Sequence, residues 1–317
     1  VGCGSGFQAA ILAHLAAHRW AVGTSDRYDR ERALYPDDVF AWLALDDEKN
    51  LRKIVAGDDD ARGRTRVLDR LAASLAAKES DGGGTLTVLR KGFDVVGAKR
   101  FRMIQLPPAD DRNPAMTALY AQTILRVVPE LRYSTKKGDR LDLAFFVNGI
   151  PVATVEIKTN FAQSLSAAIA QYKHDRHPQG EPLLTAGRGA LVHFALAQDQ
   201  LAMTTKRQGE ATSFLPFNRG HDGGAGNPPN GDKPRTAYFW EDVLDRDAWL
   251  QILTKFVYTN HEKQTDPLTG KVTTRTQIRF PRFHQWRAVT ALTAAARADG
   301  SGLKYLIQHS AGSGKTD

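Results

Sequence analysis

Apolar residues in the first part of the chain recur at helical spacing. Phe7, Ile11 and Leu15 are four residues apart, which predicts an amphipathic helix that Trp20 closes. The same spacing predicts further helices within residues 30–80, carried by Phe40, Leu43, Leu45, Leu68, Leu71 and Leu75. After a Gly-rich break at residues 81–84, we expect strands over 86–106 and another helix over 115–128.

The middle of the chain changes to the alternation that is typical of strands. Two strands are predicted within residues 141–158, on either side of Asn148 and Gly149, a dipeptide that favours a tight hairpin turn. A helix is expected from about Ser164. Residues 190–197 and 201–205 predict a second pair of strands.

Composition predicts a surface loop and a domain boundary in the rest of the chain. Residues 220–235 are rich in Gly and Pro and predict a long surface loop, because they cannot build a core. A helix at about residues 249–257 is expected to end a first domain of residues 1–260. Polar residues 261–275 predict a linker, and residues 276–317 predict the start of a second domain. The length of 317 residues is more than one core comfortably needs.

The charge of the chain favours a polyanionic partner. The formal net charge is +8 and the pI is about 9.5, which fits nucleic acid binding or, alternatively, solubility alone. A single cysteine, Cys3, excludes a disulfide within the chain and suits a reducing cytoplasm. No apolar run approaches the ~20 residues that a membrane helix needs. The first residues do not resemble a secretion signal, so we expect a cytoplasmic protein with no membrane partner.

Two acidic residues and a lysine within the predicted hairpin suggest chemistry. Asp142 and Glu156 could supply the hard oxygen ligands that Mg²⁺ prefers, with the backbone carbonyl of Ile157 as a third ligand. Side chains alternate along a strand, so Lys158 shares a face with Glu156 and could stabilise charge on a phosphate. The alternative is a solvated Glu–Lys pair. The apolar neighbours Val155 and Leu143 favour the first interpretation.

The register of this hairpin tests the metal hypothesis. A regular two-residue turn pairs residues whose numbers sum to 297, which places Asp142 opposite Val155 and turns Glu156 away. If both carboxylates hold one ion, the sum must be 298. That register requires a longer loop or a bulge, and we therefore expect an irregular turn near Gly149 and Pro151.

Residues 138–176, GDRLDLAFFVNGIPVATVEIKTNFAQSLSAAIAQYKHDR, closely resemble the nuclease domain of type I restriction motor subunits, the HsdR family. Further segments look like family segments in family order: TSDRYDRERALYPDD, LRKGF, LRYS, TSFLPFNRGHDGGAGNPPN and LIQHSAGSGKT. The resemblance implies an α/β fold with a PD-(D/E)xK-type nuclease core, a mixed sheet flanked by helices. It also implies metal carboxylates at Asp142 and Glu156 and a catalytic lysine at Lys158.

Accessory positions of the family match in part. Its Gln-x-x-x-Tyr motif begins at Gln171, but the fourth position after it is Asp175. Gln8 stands on the first helix where many relatives carry glutamate. A basic and aromatic cluster before Asp142 either contacts a DNA backbone or lies in a solvated loop: Arg132, Tyr133, Lys136, Lys137 and Arg140. His174 and His177 lack partners at ligand spacing, which favours a surface position.

The end of the chain resembles a helicase-type phosphate loop. SAGSGKT at residues 310–316 follows a predicted short strand at 303–307, although His309 stands where the usual pattern begins with glycine. The expected ATP contacts are Gly312, Ser313, Gly314, Lys315 and Thr316, together with Gln285, which resembles an adenine-reading glutamine. Because the sequence continues only to Asp317, with no second set of phosphate-handling groups, we expect no ATP turnover by this chain.

One glycine-rich segment is a decoy. VGCGSG at residues 1–6 looks like the glycine loop of a methyltransferase, but such a loop needs a preceding strand, so we expect no cofactor site there.

The resemblance implies an enzyme, a type I site-specific deoxyribonuclease. It would cleave double-stranded DNA with Mg²⁺ after ATP-driven translocation by the full-length subunit, and its partners would be the methyltransferase and specificity subunits. One alternative is a DNA-repair nuclease-helicase that acts without those partners. Another is a nuclease-inactive DNA-binding or docking module.

Overall fold

A seven-stranded mixed sheet flanked by helices forms the centre of the protein. The computed structural model describes residues 4–57, 59–110, 112–159, 164–265, 267, 269–270 and 272–308. The helices are α1 (Gly4–Ala17), α2 (Pro36–Leu51), α3 (Ala61–Ala76), α4 (Thr85–Lys91), α5 (Pro114–Ala121), α6 (Leu165–His174), α7 (Arg246–Gln251) and α8 (Phe283–Asp299). The strands are β1 (Trp20–Val22), β2 (Leu125–Arg132), β3 (Arg140–Val147), β4 (Ile150–Ile157), β5 (Val192–Leu196), β6 (Leu201–Thr204), β7 (Leu215–Pro216), β8 (Tyr258–Thr265) and β9 (Val272–Arg279).

The strands of the large sheet lie in chain order, from β1 to β7. The pairs β1–β2 and β4–β5 are parallel and the other pairs are antiparallel. Helix α6 lies in the crossover from β4 to β5, since a parallel pair needs a long connection. The larger apolar core covers one face of the sheet and includes Ile11 of α1, whereas the smaller core on the other face includes Tyr172 of α6.

Several local predictions are confirmed. The two strands around Asn148 and Gly149 are β3 and β4, the helix after Ser164 is α6, and the second strand pair is β5 and β6. Both turn residues have positive φ angles, 49° and 82°, as a two-residue hairpin turn requires. Helices occupy the expected parts of residues 4–76, and residues 220–235 are irregular.

The strands predicted over 86–106 are wrong. Residues 85–91 form helix α4, and the chain then runs irregularly, with one isolated bridge between Phe93 and Phe101. The helix has only seven residues, too few for periodicity to separate helix from strand. Its buried Leu86, Val88 and Leu89 join the larger core.

Two boundaries near β2 also differ from the predictions. The helix expected over 115–128 ends at Ala121, because residues from Leu125 onward pair with both β1 and β3. Trp20 does not close α1. It begins β1, pairs with Leu125, and donates its indole N–H to the Leu244 carbonyl at 2.8 Å.

The last part of the chain contains two further differences. The polar segment 261–275 was predicted to be a linker, but its residues 261–265 and 272–275 lie in the paired strands β8 and β9, which satisfy each other's backbone groups without needing a core. The strand predicted at 303–307 is absent, since none of the strands in the described residues pairs with it. Gly4, Ser5 and Gly6 of the decoy lie in α1.

A search of the described residues for helices that are long and apolar enough to cross a membrane finds none.

Candidate active site between β3, β4 and helix α6

A bulge in β4 brings Asp142 and Glu156 to one face of the sheet. Next to the turn, Val147 pairs with Ile150 and Phe146 with Pro151, so the two residue numbers in each pair sum to 297. Farther along, Phe145 pairs with Ala153 and Leu143 with Val155, so they sum to 298. The predicted change of register is confirmed, but it lies in the ladder and the turn itself is a regular two-residue turn.

The cores on the two faces show the same shift. Ile150, Val152, Ala153 and Val155 all belong to the larger core, so the alternation is broken between residues 152 and 153. Without the extra residue, Glu156 would follow Ile150 and Val152 into that core. With it, Glu156 faces the side that α6 covers, in line with the register that places it opposite Asp142.

The two carboxylates have different contacts. Asp142 is half-buried, and its Oδ2 accepts a hydrogen bond of 2.6 Å from the backbone N–H of Ile157. Glu156 is fully buried, and its Oε1 accepts one of 2.7 Å from Nε of Arg176. Its Oε2 is also buried and, among the described residues, has no hydrogen-bond partner.

The environment of Glu156 raises its pKa to about 8. Burial is the largest cause, because it disfavours the charged form, and the Asp142 carboxylate adds repulsion. The Arg176 guanidinium acts in the opposite direction without cancelling these effects. A perturbed carboxyl beside a second carboxylate is typical of a functional site.

Lys158 lies at the end of the same strand face and is held by helix α6. Its Nζ donates a hydrogen bond of 2.6 Å to Oε1 of Gln171. The next residue, Tyr172, is fully buried, and its hydroxyl is 2.8 Å from Oγ1 of Thr154 on β4. This second bond fixes α6 on the strand that carries Glu156 and Lys158.

The accessory positions occupy distinct places. Gln8 donates from Nε2 to the Asp142 backbone carbonyl at 3.0 Å, so α1 reaches the candidate site as well. Asp175 is the exposed residue that ends α6, and no aromatic side chain stands at that motif position.

Sequence reasoning missed Arg176, the residue in closest contact with Glu156. It follows α6, and its side chain is 12% exposed. The available signal was a basic residue just after the helix that carries Gln171. Such a residue is also typical of a solvated helix end.

The basic cluster before Asp142 divides into surface and core residues. Tyr133 is buried, whereas the four basic residues of the cluster are exposed: Arg132, Lys136, Lys137 and Arg140. His174 and His177 are exposed too.

Within the described residues, no group of three or more His, Cys, Asp and Glu side chains could hold a metal ion, so a site here would rest on the two carboxylates and backbone oxygen.

A cleft of about 790 Å³ opens beside Lys158. It lies between the start of α6, the β5–β6 turn and the irregular segment 220–235. The polar and charged side chains on its wall are Lys158, Thr159, Ser164, Ser166, Gln198, Asp199, Gln200, Lys233 and Arg235.

The ATP-binding residues predicted from the phosphate loop lie mostly outside the described residues: Gly312, Ser313, Gly314, Lys315 and Thr316. Gln285 is described. It lines a cavity of about 450 Å³, and its Oε1 accepts a hydrogen bond of 2.8 Å from the backbone N–H of Arg282 at the start of α8.

Comparison with known proteins agrees with this architecture. No curated protein matches the chain. The family model described as type I restriction enzyme R protein N terminus (HSDR_N) matches residues 8–212 of the 317, a span that includes every residue of the Asp142–Glu156–Lys158 site and helix α6. The chain belongs to the family of type I restriction enzyme R protein N-terminal regions.

Proposed function

We propose that this chain is the Mg²⁺-dependent endonuclease part of a type I restriction enzyme R subunit and cleaves double-stranded DNA. The observation that carries the proposal is the shifted register of β3 and β4, which turns Glu156 to the face of Asp142, with the buried Oε2 of Glu156 lacking a hydrogen-bond partner among the described residues. A buried polar oxygen is costly to leave unpaired, so a cation that binds it would relieve that cost.

The residues fit a magnesium ion. Asp142 and Glu156 would supply carboxylate oxygens, and the carbonyl of Ile157 would add a third ligand, because the N–H and C=O of one strand residue face the same neighbouring strand. When bound, the ion offsets phosphate charge and lowers the pKa of a coordinated water.

Lys158 would stabilise the negative charge that develops on the phosphate. Its bond to Gln171 holds the ammonium group on the strand face of Glu156 without neutralising it, since an amide oxygen carries no formal charge. Gln171 therefore acts as the group that orients the lysine.

The cleft beside Lys158 would receive the DNA backbone. Lys233 and Arg235 line it, and the exposed Lys136 and Lys137 lie in the loop that leads into β3. Contacts of this kind would give affinity that depends on salt and little on sequence.

In the complete subunit, residues 1–260 would form the endonuclease domain, and residues 276–317 would begin a RecA-like ATPase lobe. Residues 261–275 would connect them through the β8–β9 hairpin. Gln285 and residues 312–316 would contact ATP, whose hydrolysis would drive translocation before cleavage. The methyltransferase and specificity subunits would select the site. The family match favours this assembly over a repair enzyme that works alone.

Replacing Lys158 with alanine tests the proposal. In the assembled enzyme, we expect Lys158→Ala to lower DNA cleavage by ~10²–10³, because one positioned charge-stabilising donor is lost. DNA affinity and ATP turnover should change little, because many dispersed contacts carry the affinity.

Cleavage, DNA affinity and ATP turnover should be measured on one preparation. Lys91→Ala on the exposed end of α4 is the matched control and should behave as the parent. Cleavage by Lys158→Ala at the parent rate would place the active site elsewhere.

A further inference from the structure

Helix α6 contacts the candidate site at two points. Gln171, inside the helix, binds the ammonium group of Lys158. Arg176, just after its end, donates from Nε to Glu156, and its backbone N–H donates to the Gln171 carbonyl at 3.2 Å. One short segment therefore holds both charged side chains.

We propose that Arg176 is a positioning residue that turns the Glu156 carboxylate so that Oε2 points to the bound cation. This inference rests on the proposed function. Arg176 would occupy Oε1 and leave Oε2 as the metal ligand. It would not touch the ion or the DNA.

The contacts around Glu156 support this role. Arg176 donates a hydrogen bond of 2.7 Å to Oε1 of Glu156. A second buried arginine, Arg207, lies near Tyr172 but donates to the backbone carbonyl of that residue. Without Arg176 the carboxylate would lose this donor, and the repulsion from the Asp142 carboxylate would remain.

Burial makes this orientation specific. The Glu156 side chain is 0% exposed and the Arg176 side chain 12%, so water competes weakly with the pair. The planar guanidinium fixes a carboxylate plane better than the ammonium group of a lysine, which is a compact point charge. Residues that orient a metal ligand in this way typically change metal affinity by 10–100-fold when removed.

Mn²⁺ binding, followed by electron paramagnetic resonance, tests the inference without measuring activity. We expect Mn²⁺ to bind ~10–100-fold more weakly to Arg176→Met than to the parent chain, and Arg176→Lys to fall between them. Arg100→Met removes an exposed arginine from an ion pair with Asp94 and should bind as the parent does. Glu156→Gln marks the site, because it removes the proposed ligand.

The Mg²⁺ dependence of cleavage gives a second measurement. A positioning role predicts that the Arg176 variants need more Mg²⁺ and approach the parent rate at saturation, whereas Lys158→Ala stays slow at every concentration. A uniformly low rate for the Arg176 variants would contradict the role.

The outcomes separate the two proposals. If the parent chain binds no Mn²⁺ at a site that Glu156→Gln abolishes, the proposed function is overturned, and this inference with it. A parent that binds, with Arg176→Lys and Arg176→Met binding equally well, would overturn the inference alone. If Arg176→Met does not fold, as thermal unfolding would show, Arg176→Lys decides: weaker binding supports the inference and unchanged binding refutes it.

Discussion

At the scale of single residues, Glu156 combines full burial with a nearby negative charge. Its pKa, about 8, lies above its ordinary value of 4.5, because burial and Asp142 together outweigh Arg176. The folded chain without metal therefore holds a proton on Glu156 at pH values where the unfolded chain has lost it. Binding of the proposed cation would displace that proton, so its affinity would depend on pH through this residue.

This difference predicts how stability depends on pH. A raised carboxyl pKa contributes stability at low pH that is lost as pH rises from about 4.5 towards about 8. We expect the free energy of unfolding of the metal-free parent to fall relative to Glu156→Gln across that window, by up to ~1.4 kcal/mol per pH unit. Urea unfolding at several pH values checks this.

Glu156→Gln is the reference because glutamine cannot titrate, so its stability lacks the pH-dependent contribution of this carboxyl group. Parallel curves for the parent and the variant between pH 5 and 8 would contradict the prediction.

At the scale of elements, the β3–β4 hairpin is held at its turn by tertiary contacts. Asn148 is fully buried, accepts from the Ile124 N–H at 2.8 Å and donates to the Met103 carbonyl at 2.9 Å. The Gly149 carbonyl accepts from the N–H of Tyr35 at 2.9 Å, at the start of α2. The turn is thereby fixed to three other parts of the chain.

Gly149→Ala should destabilise the protein for two reasons. The residue has a φ of 82°, which costs other residues about 1–2 kcal/mol, and a Cβ would lie 2.6 Å from the Tyr35 carbonyl oxygen and 2.8 Å from the Val39 nitrogen. Gly187→Ala is the matched control, with a φ of 83° and no atom within 4 Å of its Cβ.

We expect Gly149→Ala to lower the free energy of unfolding by about 1–3 kcal/mol more than Gly187→Ala, because overpacking adds to the same backbone strain. Equal effects in denaturant unfolding would show that the turn can shift away from α2 without cost.

At the scale of the whole molecule, four separate segments form the cleft beside Lys158. The end of β4, the start of α6, the β5–β6 turn and the irregular segment 220–235 meet there. Lys233 is paired with Glu241 at 2.7 Å, whereas Arg235 is exposed and donates a long hydrogen bond of 3.5 Å to the Asn227 carbonyl. Arg235 is thus the wall residue best able to turn to a phosphate.

Arg235→Ala should weaken DNA binding by the chain equally for all sequences and reduce the slope of log affinity against log salt by about 1. Arg112→Ala, which removes another exposed arginine, is the control. Fluorescence anisotropy over a salt series measures both. An unchanged slope for Arg235→Ala would show that DNA does not follow this cleft.

Local signals in the sequence were enough to predict much of the candidate site. The turn at Asn148 and Gly149, the strands beside it and helix α6 follow from residue spacing over a few positions. Asp142, Glu156, Lys158 and Gln171 all lie on these elements, so their identities and approximate placement were predictable. The need for a shifted register was predictable too, since alternation has a period of two.

Only the tertiary structure decided where the register shifts and which groups meet. The bulge at Val152, rather than the turn, moves Glu156 to the face of α6, and Arg176 reaches it from twenty residues away. Trp20 lies in strand β1 and residues 85–91 form a helix, contrary to the predictions, because their pairing and burial depend on distant parts of the chain. Sequence spacing reports which side chains can share one face of one element. The partners of that face are set by packing between elements, which no short window of sequence contains.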